Sequence, residues 1–139
     1  MKRLAYPLGG LTLLAVLAVG PVGAQGGKTP PSVKEIMKRL HQGSGAPNVI
    51  IRMELQDEQP DWAAVQRLSM DFVTLGAALG KNNPPKGDRQ SWGKVSAQYL
   101  EAAQAMNAAA QKKDKPAALA AHTRLNQVCK TCHDAHRPN

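Results

Sequence analysis

Apolar residues recur along most of the chain at the three-and-four spacing of an α-helix, and this periodicity predicts four helices. The first opens at Ser32, where Ser32-Val33-Lys34-Glu35 has the Ser-x-x-Glu spacing of a capping box. Val33, Ile36, Met37, Leu40 and His41 then share one face, and Gly43 closes the helix. A second stripe runs through Trp62, Val65, Leu68, Phe72, Leu75 and Leu79, with Pro60 suited to its first turn and Gly80 near its end. A third runs through Trp92, Val95, Tyr99, Ala103 and Met106, with Asp88 or Ser91 as its cap. The fourth opens at Asp114 and Pro116 and passes through Leu119, Leu125, Val128 and Cys132 towards Arg137 and Pro138.

The connections are short. Lys81 to Gly87 reads KNNPPKG, which is turn chemistry. Residues 44–59 are ambiguous: Val49-Ile50-Ile51 is β-branched, yet no second strand exists to pair with it. The reading there is a loop with a short helical or extended piece. Four amphipathic helices with short links predict an all-α fold, an antiparallel up-down-up-down four-helix bundle.

The N-terminus stands apart from that domain. Lys2 and Arg3 precede an apolar stretch, Leu11 to Val19, of about nine residues, too short to span a bilayer. Val22-Gly23-Ala24 follows with small residues, as before a signal-peptidase site. The expected organisation is a signal peptide at 1–24, a flexible lead at 25–31 and one domain at 32–139, exported to the periplasm. A retained anchor is the alternative, against which Pro21 and the small-residue exit both argue.

The formal charge is +8, of which Lys2 and Arg3 leave with the leader. In an exported protein this surface suits acidic partners or bound carboxylates better than nucleic acid. Aromatic residues make up 4% of the chain, so the core must come from Leu, Val, Ala and Met. A core of that kind is marginal by itself, and a buried cofactor would add apolar contact. Two cysteines allow no disulfide framework.

Those two cysteines carry the chemistry. Cys129-Lys130-Thr131-Cys132-His133 is the C-x-x-C-H sequence of covalent haem attachment. On a helix, positions i, i+3 and i+4 share a face, so two thiols meet the vinyl groups of one porphyrin while the adjacent imidazole stands under the iron. Two other chemistries use the same residues. A thiol–disulfide pair normally opens a helix after a strand, whereas this one closes the last helix of a helical chain. A zinc or copper site from Cys129, Cys132, His133 and His136 needs tetrahedral ligands from two turns of one helix, a poor geometry. The sequence contains no proton-transfer or nucleophilic constellation, so no enzyme activity is expected.

A four-helix chain with Cys129, Cys132 and His133 in its last helix and Arg137 four residues later resembles the cytochrome c-prime family, the class II c-type cytochromes. The Pro84-Pro85-Lys86-Gly87-Asp88 loop and Ser91-Trp92 also look like a c-prime-related group of small secreted cytochromes. The resemblance implies one covalent haem c in a helical bundle, and either electron transfer or binding of NO or CO at the iron. It implies a homodimer through the first two helices in many members, and a redox partner protein for an electron carrier. This chain departs from the family in carrying His136 where Tyr or Phe usually precedes the arginine, and in lacking one long first helix across 43–59.

The residue opposite His133 decides between those functions. In an alternating bundle the end of the last helix lies level with the start of the first. Met37 stands roughly 8 Å into that helix, and the family's distal position aligns with it. Met37 as second axial ligand predicts low-spin, electron-transferring iron. His41, one turn deeper, is the competing ligand, and an open iron is the third possibility. An ordinary core role for Met37 is the plain alternative.

Arg137 is expected beside a haem propionate, or as a solvated cation at the helix end. His136 is read as a rim residue and His122 as lining too far along the axis to reach the iron. Trp92, with Val95, Leu75 and Leu79, is expected to wall the haem, although simple helix packing fits the same spacing. Lys81, Lys86 and Arg89 are expected to face an acidic partner.

Overall fold

The computed structural model describes residues 29–138; the proposed leader at 1–24 lies outside them. Five helices make up the fold: α1 (Val33–His41), α2 (Pro47–Gln56), α3 (Trp62–Leu79), α4 (Arg89–Gln111) and α5 (Lys115–His136), with no strand among the described residues.

The starts are set by side-chain caps. Ser32 Oγ accepts from the Glu35 amide at 3.3 Å and Glu35 accepts from the Ser32 amide at 2.8 Å, the capping box in full. Asp88 rather than Ser91 caps α4, accepting from the Ser91 amide at 2.8 Å. Asp114 caps α5 through the Ala117 amide at 3.0 Å. At α3 the cap is Asp61, which accepts from the amides of Ala63 and Ala64. Pro60 therefore precedes the helix instead of forming its first turn.

The ambiguous stretch is a helix. Pro47 occupies its first turn, and Ile51 and Leu55, four residues apart, are fully buried. Their burial outweighs the β preference of Val49-Ile50-Ile51, since propensity differences are well below the ~2 kcal/mol gained by burying one such side chain. Gly43, at φ +93°, makes the bend between α1 and α2.

Together α1 and α2 form one broken member of the bundle. Asn82, just past the end of α3, donates to the Pro31 carbonyl at 3.1 Å and so ties the start of α1 to that end. At the other end Lys115, opening α5, bonds the Asp57 carbonyl just after α2. The α1–α2 member thus runs antiparallel to both α3 and α5, while α4 packs extensively against both of those helices. The expected alternation holds, with its first helix broken in two.

Phe72, Tyr99, Met106 and Leu125 fill the interior between small residues such as Ala102, Ala103, Ala110 and Ala118. Polar links cross it, among them His122, whose Nε2 meets Asn48 Oδ1 at 3.0 Å and whose Nδ1 meets the Asn126 amide nitrogen at 3.3 Å. A neutral ring with the proton on Nε2 satisfies both partners. Burial holds the His122 pKa below the usual histidine value, Arg52 pushes the same way, and the Asn48 contact opposes them. The unfolded chain therefore takes up this proton at a higher pH than the native one. Stability from this site is complete above the unfolded value of about 6.5 and falls as pH drops through it. Denaturant titrations across that range should show the native protein weakening on acidification, and His122→Gln weakening less steeply.

Candidate cofactor site

One end of the bundle opens into a cavity of about 650 Å³. It lies where the face of α1, the α3–α4 loop, the first turn of α4 and the last turn of α5 meet. From α1 come Val33, Met37 and His41; from the loop Pro85; from α4 Trp92; from α5 Cys132, His133 and His136, followed by Arg137 and Pro138. Lys34 and Lys38 stand at the mouth. This end is where alternation of the helices places the end of α5 beside the start of α1.

The C-x-x-C-H turn lies inside α5 as expected. Val128, its neighbour, is buried, Cys129 and Cys132 are half-buried against the core, and His133 is exposed on the cavity wall. The two cysteines are not bonded to each other. Burial, reinforced by Cys132, pushes the Cys129 thiol up to about 11, and burial raises Cys132 as well. Both thiols are therefore protonated at neutral pH. A redox dithiol needs the opposite, a lowered pKa, so the thiol-exchange alternative finds no support here.

His41 closes the deep side. Its Nε2 is 3.2 Å from Tyr99 Oη, and its ring meets Phe72 edge-on at 5.5 Å. Burial, with the neighbouring His133 and His122, pushes its pKa down to about 4, so the ring is neutral. Tyr99 is raised well above its ordinary value, chiefly by burial and then by the two thiols nearby.

His136 is not a rim residue. It is 2% exposed, with Nδ1 2.7 Å from the Lys86 carbonyl and Nε2 3.0 Å from Ser91 Oγ, and it meets Trp92 edge-on at 5.3 Å. With both nitrogens so engaged, it is not free to join Cys129, Cys132 and His133 around zinc or copper. Burial of this polar side chain at a helix end depends on partners remote in sequence, Lys86 of the α3–α4 loop and Ser91 of α4. Of the expected wall, only Trp92 lines the cavity. Leu79 and Val95 are buried elsewhere, and Leu75 borders a separate cavity of about 290 Å³ with Arg39 and Leu40.

The site suits a large flat apolar group bearing carboxylates. Its volume lies within the roughly 300–1,000 Å³ of cofactor and ligand sites, its walls are mainly apolar, and Lys34, Lys38 and Arg137 supply positive charge. Trp92 Nε1 is buried without a hydrogen-bond partner, a donor that a bound polar group can satisfy.

The chain is a helical bundle whose C-x-x-C-H turn brings Cys132 and His133 to the wall of this cavity, with Cys129 packed against the core beside it. The family model for cytochrome C′ matches residues 87–137, which span α4 and α5 and include Trp92, Cys129, Cys132, His133 and Arg137. Over that part of its sequence the chain is similar to the cytochrome c-prime family, whose members bind covalent haem c with its iron. The match does not extend to α1, which carries Met37 and His41. No curated protein and no solved structure matches the chain.

Gly87 fixes how closely the loop lies on this site. Its φ is +80°, and a Cβ there would stand 2.9 Å from His136 Nδ1 and 3.1 Å from the Ala135 carbonyl. Gly87→Ala should cost about 2–4 kcal/mol through strain and overpacking, measured by urea unfolding.

Proposed function

We propose that the chain is an exported monohaem c-type cytochrome that transfers electrons through an iron held between His133 and Met37. The observation that carries this reading is that Met37 of α1 and His133 of α5 line the same cavity, whereas the Nε2 of His41 is already engaged by Tyr99. Cys129 and Cys132 are the attachment points and His133 the proximal ligand.

When bound, haem c would supply one-electron iron chemistry, held by Cys129, Cys132, His133 and Met37. The residues around it would bind, orient and shield. Val33, Pro85 and Trp92 would keep water from it, and apolar surroundings raise a reduction potential. Met37 would raise the potential further and keep outside ligands from the iron. Arg137, with Lys34 and Lys38, would neutralise its carboxylates.

Family members carry electrons or bind small gases, and are not enzymes in the usual sense; many are homodimers. The exposed Met53 of α2 and Met70 of α3 stand on the part of the bundle through which such members pair. Export rests on the leader at 1–24 and on the family's periplasmic location. No helix of the described residues is long and apolar enough to cross a membrane.

Made in a host with c-type maturation, the protein should be coloured and gain the mass of one haem. The oxidised form should show a methionine-to-ferric-iron absorption band that Met37→Ala abolishes. High-spin spectra with fast CO binding to the reduced wild type would replace this reading by a gas-binding one. A colourless protein would remove both.

Lys81, Lys86 and Arg89, all exposed on or beside the α3–α4 loop at the cavity end, suit an acidic redox partner. Charge reversal at Lys81 and Lys86 should slow electron exchange with an acidic partner at low salt. High salt should erase the difference, and equal rates at low salt would retire this docking face.

A further inference from the structure

His133 stands in the last turn of α5, which ends at His136. The last four carbonyls of a helix lack intrahelical partners and the final turn frays. Helices hold such ends with a glycine in the left-handed conformation. This one has no left-handed cap: Arg137 is extended at φ −77°, ψ 125°, and Pro138 follows. At its end the backbone closes the turn of His133 with a hydrogen bond from the Arg137 amide to the His133 carbonyl at 3.1 Å.

His136 adds a side-chain anchor to that backbone bond. The Lys86 carbonyl can only accept, so Nδ1 donates to it at 2.7 Å, and the unprotonated Nε2 accepts from the Ser91 hydroxyl at 3.0 Å. Ser91 is itself anchored, since its amide donates to the Asp88 cap of α4. The imidazole also rests against Trp92 on the cavity wall. At Gly87 the loop and helix lie too close to admit a Cβ.

We propose that His136 is a positioning residue: by joining the Lys86 carbonyl to the Ser91 hydroxyl it locks the final turn of α5 and thereby holds the His133 imidazole in place on the cavity wall. This rests on the haem reading for its consequence, but not for the lock itself. His136→Phe keeps an aromatic ring against Trp92 and removes both hydrogen bonds. His136→Gln keeps a donor and an acceptor, and Ser91→Ala removes one bond with little change in packing.

In the haem-loaded protein, amide hydrogen exchange at residues 132–137 should rise about tenfold in His136→Phe, the effect of losing a net ~1.4 kcal/mol of bonding, while exchange in α1 and α3 stays unchanged. The ferric electron-spin resonance of the variant should split into more than one axial-ligand population, and His136→Gln should restore a single one. Should His136→Phe fail to fold, Ser91→Ala gives the same readings with a smaller rise. Unchanged exchange at 132–137 in these variants, or a single resonance population in a folded His136→Phe, would overturn the proposal. If wild type carries no haem, the haem reading fails on its own, and exchange in the haem-free chain still decides whether His136 locks the turn.

Discussion

The site depends on the last two turns of one helix staying wound. In the proposed haem site three groups act together from positions 129, 132 and 133, and only helical spacing brings two thiols and an imidazole to one side. Helix ends are the least stable part of any helix. The fold answers this by burying Val128 and Leu125 just before the cluster and His136 just after it, so the reactive turn lies between two anchored points.

The rest of the bundle serves that arrangement. The long helix α4 packs extensively against both α3 and α5, while the broken α1–α2 member completes the fourth side. Breaking that member at Gly43 lets α1 and α2 pack independently: α1 presents Met37 and His41 to the cavity, and α2 seats Ile51 and Leu55 in the core. The cavity thus has a wall from the first helix that is built separately from the wall bearing the cysteines.

Electrostatics at the site favour neutral groups inside and cations at the mouth. His41, Tyr99, Cys129 and Cys132 are all shifted by burial towards their uncharged forms. Lys34, Lys38 and Arg137 remain exposed around them. An apolar macrocycle with carboxylates at its edge matches that distribution, since burying charge without a partner costs several kcal/mol.

Much of this was legible in the residues themselves. The capping box at Ser32, the turn at 81–87, the Asp114 cap and the helical stripes are local signals, realised because caps and periodicity act over a few residues; Leu119 departs from its stripe, standing exposed while Ala118 is buried. The C-x-x-C-H sequence likewise points to haem attachment, because its spacing on a helix puts both thiols and the imidazole on one side. Tertiary packing decided the rest. It made α2 helical, because burial of Ile51 and Leu55 outweighs the weak β preference of their neighbours. It moved His136 from rim to interior, because its partners Lys86 and Ser91 are close only once α5 folds back on α4. It gathered Met37, Trp92 and His133 around one cavity and left Leu75, Leu79 and Val95 out. Local sequence sets which face of a helix is apolar; which part of that face meets a cavity depends on how neighbouring helices are offset, and that is a property of the whole bundle.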